Sequence, residues 1–221
     1  MTTIKELESR VGGLSKPSKM PCHGYSIPAR HCHVGKKMAK VKDSICSVCY
    51  ALKGRYAFPN VQNALDKRFD AISKPKWVKN MIELISRKEK SGYFRWHDSG
   101  DIQSVEHLED IVEIAKALPQ IQFWLPTREY NIVKEFQSKH WPRSYGGALA
   151  VRKAFPHNLT VRLSGLMLDG KPPNATQNPH DLPTSGAIEK GYDCPAPDQG
   201  NKCLDCRLCW SLKSHINYRK H

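Results

Sequence analysis

From Asn60 onward, Val61, Ala64, Leu65, Phe69 and Ile72 recur at helical spacing. Pro75 interrupts the pattern before Trp77, Met81, Ile82 and Ile85 resume it, so two helices are predicted. Residues 93–97, YFRWH, read as a strand running into a loop at Asp98, Ser99 and Gly100. Ser104 then stands where an N-cap belongs, before a helix whose apolar face is Val105, Leu108, Ile111, Val112, Ala115 and Leu118. Glu106, Glu109 and Asp110 sit near its positive end. The unit repeats with IQFWL at 121–125 as a second strand, a short helix capped by Asn131 and carrying Ile132, Val133 and Phe136, and LTVRL at 159–163 as a third strand. Strands separated by helices pair in parallel through right-handed crossovers. The expected class is therefore α/β, either a parallel sheet with helices or a partial (β/α) barrel, with cysteine-rich segments at the N- and C-terminal sides. The Pro/Asn/Gly-rich stretch 170–200 reads as one long loop. The organisation predicted is an N-terminal segment 1–21, a single α/β domain over 22–210 and a basic tail over 211–221.

Composition changes this picture little, whereas charge adds to it. With 221 residues, 39% of them hydrophobic, the chain can bury a sizeable core. No apolar run approaches the roughly 18 residues of a membrane span, and the opening MTTIKELESRVGG is too charged for a secretory signal. A cytoplasmic protein without membrane association is expected. The 35 Lys and Arg outnumber 21 Asp and Glu, giving +14, with concentrations at Lys36, Lys37, Lys40 and Lys42 and at Lys213, Arg219 and Lys220. That field suits an acidic partner, either nucleic acid or a phosphorylated or carboxylated small substrate. A well-solvated basic surface is the plainer alternative.

In parallel α/β architectures, functional groups gather where strand C-terminal ends meet the following loops. Three ends offer such groups: His97, Asp98, Ser99, Gly100 and Asp101; Thr127, Arg128 and Glu129; Ser164 and Gly165. His97, Asp98 and Asp101 are candidates for proton handling and Arg128 for holding a carboxylate or phosphate, with Ser99, Gly100 and Ser164 as cofactor-binding candidates. The same residue types also serve in ordinary turns.

Eight cysteines fall into two groups, Cys22, Cys32, Cys46 and Cys49, then Cys194, Cys203, Cys206 and Cys209, with 144 cysteine-free residues between them. Without an export signal, such grouping points to metal or redox chemistry rather than disulfides. The run Cys203-x-x-Cys206-x-x-Cys209 is the most specific motif, since three thiolates at this spacing can bind three iron corners of one 4Fe-4S cubane. Cys194, followed by Pro195, is a candidate fourth ligand. Four thiolates also suit a closed zinc site. In the first group Cys46 and Cys49 form a pair, Cys22 and Cys32 approach from the preceding loop, and His23, His31 and His33 flank them. A second cluster and a zinc site are both open there.

CSVCYALKGRY at 46–56, RWHDSGDIQS at 95–104, FWLPTRE at 123–129 and the closing CP with CLDCRLCW resemble the phage gene product 88 family, in order over roughly residues 22–210. The resemblance implies a bacteriophage or prophage origin and an iron-sulfur protein. A more distant similarity is to radical S-adenosylmethionine (SAM) enzymes, with their partial (β/α) barrel and first-loop Cys-x-x-x-Cys-x-x-Cys. Cys46-x-x-Cys49 looks like the end of that motif. Ser99-Gly100-Asp101 resembles the small-residue-plus-acid stretch that holds the methionyl amine. Lys42 stands where the first cysteine is expected, so Cys22 or Cys32 would have to replace it. Three functions follow as expectations. The first is an enzyme with one or two 4Fe-4S clusters and an open iron for small-molecule, sulfur-transfer, elimination or SAM chemistry. The second is a nucleic-acid-binding accessory or regulator with structural clusters, and the third a redox-sensing or electron-transfer protein.

Overall fold

The computed structural model describes residues 2–140 and 154–220. Helix α1 (Ile4–Val11) starts with a capping box, in which Thr3 accepts from the Glu6 backbone N–H while Glu6 accepts from that of Thr3. Strand β1 (His23–Tyr25) leads into a run of short turns that carries α2 (His33–Met38). Helix α3 (Pro59–Ile72) has proline in its first turn, where a missing N–H leaves no bond unmade. After the break at Pro75, α4 (Trp77–Lys88) follows. Strand β2 (Tyr93–Trp96), helix α5 (Val105–Ala117), β3 (Gln122–Thr127) and α6 (Tyr130–His140) come next. Strands β4 (Leu159–Leu168), β5 (Thr184–Ile188) and β6 (His215–Arg219) complete the order. The Ser104 hydroxyl accepts from the His107 N–H at 3.2 Å, which is the cap expected for α5. Helix α6 starts at Tyr130, one residue before the expected cap Asn131.

All six strands form one sheet in chain order, and every neighbouring pair is parallel. Alternation along the strands divides its two faces. Phe94 and Trp96 of β2, Phe123 and Leu125 of β3, and Val161 and Leu163 of β4 join the main core with Leu7, Met81, Leu84, Ile111 and Phe136 from the helices. The intervening Tyr93, Trp124 and Tyr218 face the other way and pack with Met20, Cys22, Cys203 and Trp210. One face is thus covered by helices, the other by the cysteine-bearing connections.

Those connections are tied to the sheet by buried polar groups. Arg162 of β4, fully buried, donates to the carbonyls of Thr184 at 2.8 Å, Lys213 at 3.0 Å and Ser211 at 2.8 Å. Thr160 donates to the Trp210 carbonyl at 2.8 Å, and the Trp210 indole donates to the Phe94 carbonyl at 3.0 Å.

The α/β class with a parallel sheet stands. The cysteine-rich segments do not define the fold, because they are connections laid on a sheet that the strands and helices specify. The stretch 170–200, expected as one loop, contains β5, whose TSGAI holds too few apolar residues to announce a strand and is fixed by pairing to β4 and β6. The terminal segments 1–21 and 211–221 carry α1, with Leu7 and Val11 in the main core, and β6, the edge strand.

Candidate functional site

The loops leaving the C-terminal ends of the strands, together with the sheet face opposite the helices, enclose a cavity of about 950 Å³. Cys32, Cys46 and Cys49 line it, and so do Cys194, Cys203 and Cys209. The strand ends contribute His97 through Asp101, Arg128, Ser164 and Ser185. Two cysteine groups far apart in sequence therefore share one space.

The first group is held by short-range geometry. Cys32 is the residue before α2, and the buried Glu129 carboxylate accepts from the backbone N–H groups of His33 at 3.0 Å and Val34 at 2.8 Å. Cys46 lies in the turn Ile45–Val48, whose first N–H groups are served by the Ser44 hydroxyl, accepting from Ser47 at 3.0 Å. Gly35 completes the cradle. A Cβ there would stand 2.8 Å from Cys32 Cβ, 3.5 Å from Cys32 Sγ and 3.8 Å from Cys46 Sγ. Burial pushes both the Cys32 and Cys46 thiols up, and Arg128 opposes this at Cys46.

Cys22 departs from the grouping read in sequence. It is buried in the cluster of Met20, Trp124, Cys203 and Trp210, and burial pushes its thiol up to about 12, with Glu89 and Cys203 adding to the shift. It belongs spatially with the C-terminal group. In that group burial raises the Cys203 thiol, Cys194 and Cys206 raise it further, and Lys19 and Arg95 pull it down. Cys209 is raised to about 11 by burial and meets the Tyr218 hydroxyl at 3.4 Å. Raised thiols stay protonated until a metal ion displaces the proton.

Arg95 is a cation on the side of Cys22, Cys203 and Cys209. It lies 4.5 Å over the Trp124 ring and lines the cavity, and its charge reaches Tyr50, Asp98 and Cys209.

The strand-end residues divide by what they touch. The buried Asp101 carboxylate accepts from the Thr127 hydroxyl at 2.6 Å and from the Arg128 N–H at 2.9 Å. Burial pushes its pKa up to about 6 against those hydrogen bonds. Thr127 in turn accepts from the Glu129 N–H at 3.0 Å, so Asp101, Thr127 and Glu129 form one brace leading to Cys32. Arg128 Nε donates to the Gly165 carbonyl at 3.0 Å. Asp98 accepts from the Tyr56 hydroxyl at 2.7 Å. Ser99 donates to the Ile27 carbonyl at 3.0 Å, and Gly100, at φ 78°, lies so near Ile27 that a Cβ would meet its Cγ1 at 2.3 Å. Ser164 accepts from the Ser185 hydroxyl at 3.2 Å.

His97 adopts φ 51° and lines the cavity, its ring buried with neither nitrogen hydrogen-bonded among the described residues. Burial, then His107 and Arg95, hold it neutral, well below the usual histidine range. The flanking histidines are engaged elsewhere: His23 with Glu89 at 2.9 Å, and His31 stacked on Phe69 with ring centres 3.9 Å apart. Glu129, read from sequence as a strand-end candidate, and Gly35, which was not singled out, position the first cysteine group. Gly35 had one usable signal, a glycine three residues after a cysteine inside a short helix.

Burial lowers His107 from 6.5 to about 4. A depressed histidine pKa stabilises the fold above the unfolded value and loses that contribution as the pH falls from about 6.5 towards 4. The interval corresponds to about 3 kcal/mol. His107→Phe should therefore show a flatter stability profile than the native chain between pH 4 and 6.5, measured by urea unfolding at stepped pH. Parallel profiles would refute the assignment.

Among the described residues, no three His, Cys, Asp or Glu side chains converge so as to hold a single metal ion. No helix there is long and apolar enough to cross a membrane. Neither a curated protein nor a solved structure matches the chain. The family model described as Gene product 88 matches residues 3–212, taking in both cysteine groups and every strand end that lines the cavity except that of β6, and the chain belongs to this phage family.

Proposed function

We propose that the chain is an iron-sulfur enzyme. In this reading Cys32, Cys46 and Cys49 hold one 4Fe-4S cluster, and Cys194, Cys203, Cys206 and Cys209 hold a second. The observation that carries it is the opening of a three-thiol group and a second thiol group onto one cavity. A cubane takes one thiolate at each iron corner, and three thiols of each cysteine group line the cavity; zinc held by four thiolates is the competing occupant that metal analysis decides. Half-buried cations near the thiols, Arg95, Arg128 and Lys19, suit the negative charge of thiolate ligation. Parallel strands succeeding one another in chain order are a feature that (β/α) barrels also have, and this is what the similarity to radical SAM enzymes rests on here.

A cluster held by three thiolates supplies an open iron that can take a small-molecule ligand, SAM or substrate. The protein's own groups do the rest. Asp101, Thr127 and Glu129 fix the loop bearing Cys32. Arg128 presents a cation beside Cys46, suited to a carboxylate or phosphate. Neutral His97, with neither ring nitrogen engaged, offers one hydrogen-bond donor and one acceptor at the cavity wall.

Iron and acid-labile sulfide counted per chain after anaerobic purification test this reading. About eight of each is expected for two cubanes. Cys32→Ser, Cys46→Ser or Cys49→Ser should each remove about half, and Cys203→Ser or Cys206→Ser the other half. Electron paramagnetic resonance of the reduced protein should change when SAM or a small thiol is added, and the change should vanish with the first three variants. Zinc without sulfide would overturn the assignment.

A further inference from the structure

The segment 30–58, which frames the cavity on the side of Cys32, Cys46 and Cys49, has a composition unlike the rest of the chain. Seven Lys and Arg stand against one acid, Asp43, leaving +6 of the chain's +14 in 29 residues. Arg30 is paired with Asp66. The other six, Lys36, Lys37, Lys40, Lys42, Lys53 and Arg55, are all exposed, and none has an ion-pair partner among the described residues. Large apolar side chains stand exposed in the same segment: Phe58 is 56% exposed, Leu52 54% and Val41 41%. The Phe58 ring stacks on no other aromatic ring among the described residues. Such a surface joins unneutralised cations to open apolar faces, and it borders the cavity, since Lys36 and Leu52 belong to the cavity lining.

A solvated basic face would carry lysines without exposed aromatic side chains, and a protein-docking patch would be poor in lysine. Cations that can follow a phosphate backbone, with an exposed ring on which a base can stack, are the combination that single-stranded nucleic acid requires. We propose that residues 30–58 form a binding surface for single-stranded nucleic acid across the mouth of the cavity, with Lys36, Lys37, Lys40 and Lys42 on phosphates and Phe58 under a base. The contact needs no cluster, so it goes beyond the iron-sulfur reading and stands or falls separately from it.

Fluorescence anisotropy of the full-length chain with labelled single-stranded DNA, single-stranded RNA and duplex DNA over a salt series is the test. Tighter binding of a single strand than of duplex is expected, with affinity falling as salt rises by a slope near −0.7 per phosphate neutralised. Replacing Lys36, Lys37, Lys40 and Lys42 together by Gln should weaken binding at least about tenfold and make the slope shallower by about two to three. Phe58→Ala should weaken it about 5- to 150-fold, the range for one lost base stack, at an unchanged slope. Lys74→Gln with Lys79→Gln, on the helix-covered side, should leave binding as it was. Circular dichroism of each variant guards against misfolding, and Phe58→Tyr should restore binding lost in Phe58→Ala. No binding at low salt, equal affinity for duplex with no effect of Phe58→Ala, or displacement of the strand by vesicles of phosphatidylserine at matched charge would overturn the proposal. Iron measured on the same samples separates the two readings. Strand binding without iron sinks the cluster assignment alone, and iron without strand binding sinks this one alone.

Discussion

An unfolding free energy lower by about 3–5 kcal/mol is the expected result of Arg162→Leu, because hydrogen bonds from a charged donor contribute about 1.5–3 kcal/mol each and do not add fully. The guanidinium is fully buried and donates to three carbonyls, those of Thr184, Ser211 and Lys213. Leucine supplies none of these donors, and the carbonyls then lie in a dry layer between β4 and the last cysteine segment. Loss of hold on residues 208–213 should also reduce iron at the C-terminal cysteines while sparing the site at Cys32, Cys46 and Cys49. Arg162→Lys should recover only part of the stability, since a point cation cannot reach three acceptors in a plane. Urea unfolding checks the first outcome and iron content the second. A loss under about 1 kcal/mol would mean that water reaches those carbonyls.

Gly100→Ala should cost about 2–4 kcal/mol, combining an αL conformation that L side chains resist with overpacking against a fixed neighbour. Gly100 sits at φ 78°, and a Cβ would lie 2.3 Å from Ile27 Cγ1 and 2.7 Å from the Ile27 carbonyl oxygen. Ile27 is itself fully buried in the main core, and its N–H donates to the Ser99 carbonyl at 3.1 Å. The neighbour therefore cannot yield cheaply. Thermal unfolding of the variant measures this, and an unchanged midpoint would show that the loop after β2 can shift away from Ile27. Gly13, in the same φ region but with nothing near its missing Cβ, is the control that isolates the backbone part.

Elements carried by long periodic runs were legible in sequence. The apolar face of α5 and its Ser104 cap are local features, and so is the break between α3 and α4 at Pro75. Strands β1, β5 and β6 were not, because HGY, TSGAI and HINYR are short and exist through pairing with neighbours distant in the chain. Within LTVRL, nothing local shows that the Arg162 charge is spent on three carbonyls. Proximity along the chain also misassigned Cys22, which the sheet carries to Cys203 rather than to Cys32. Of the residues named by the strand-end rule, His97 through Asp101, Arg128 and Ser164 line the cavity. The rule did not show that Ser99 and Gly100 are engaged with Ile27, or that Glu129 serves the start of α2, because those partners come from other loops.

Strand order has a consequence for how the protein is made. β1 and β6 are the two edges of the sheet, yet the Cys203 N–H donates to the Lys19 carbonyl at 2.9 Å and Cys203 Sγ lies 3.8 Å from Met20 Sδ. Segments 183 positions apart in sequence are thus stitched together. Closing so long a loop is a late event in folding. The wall that Cys194, Cys203 and Cys209 contribute is therefore the one expected to close last, after the strand ends at His97, Arg128 and Ser164 are in place.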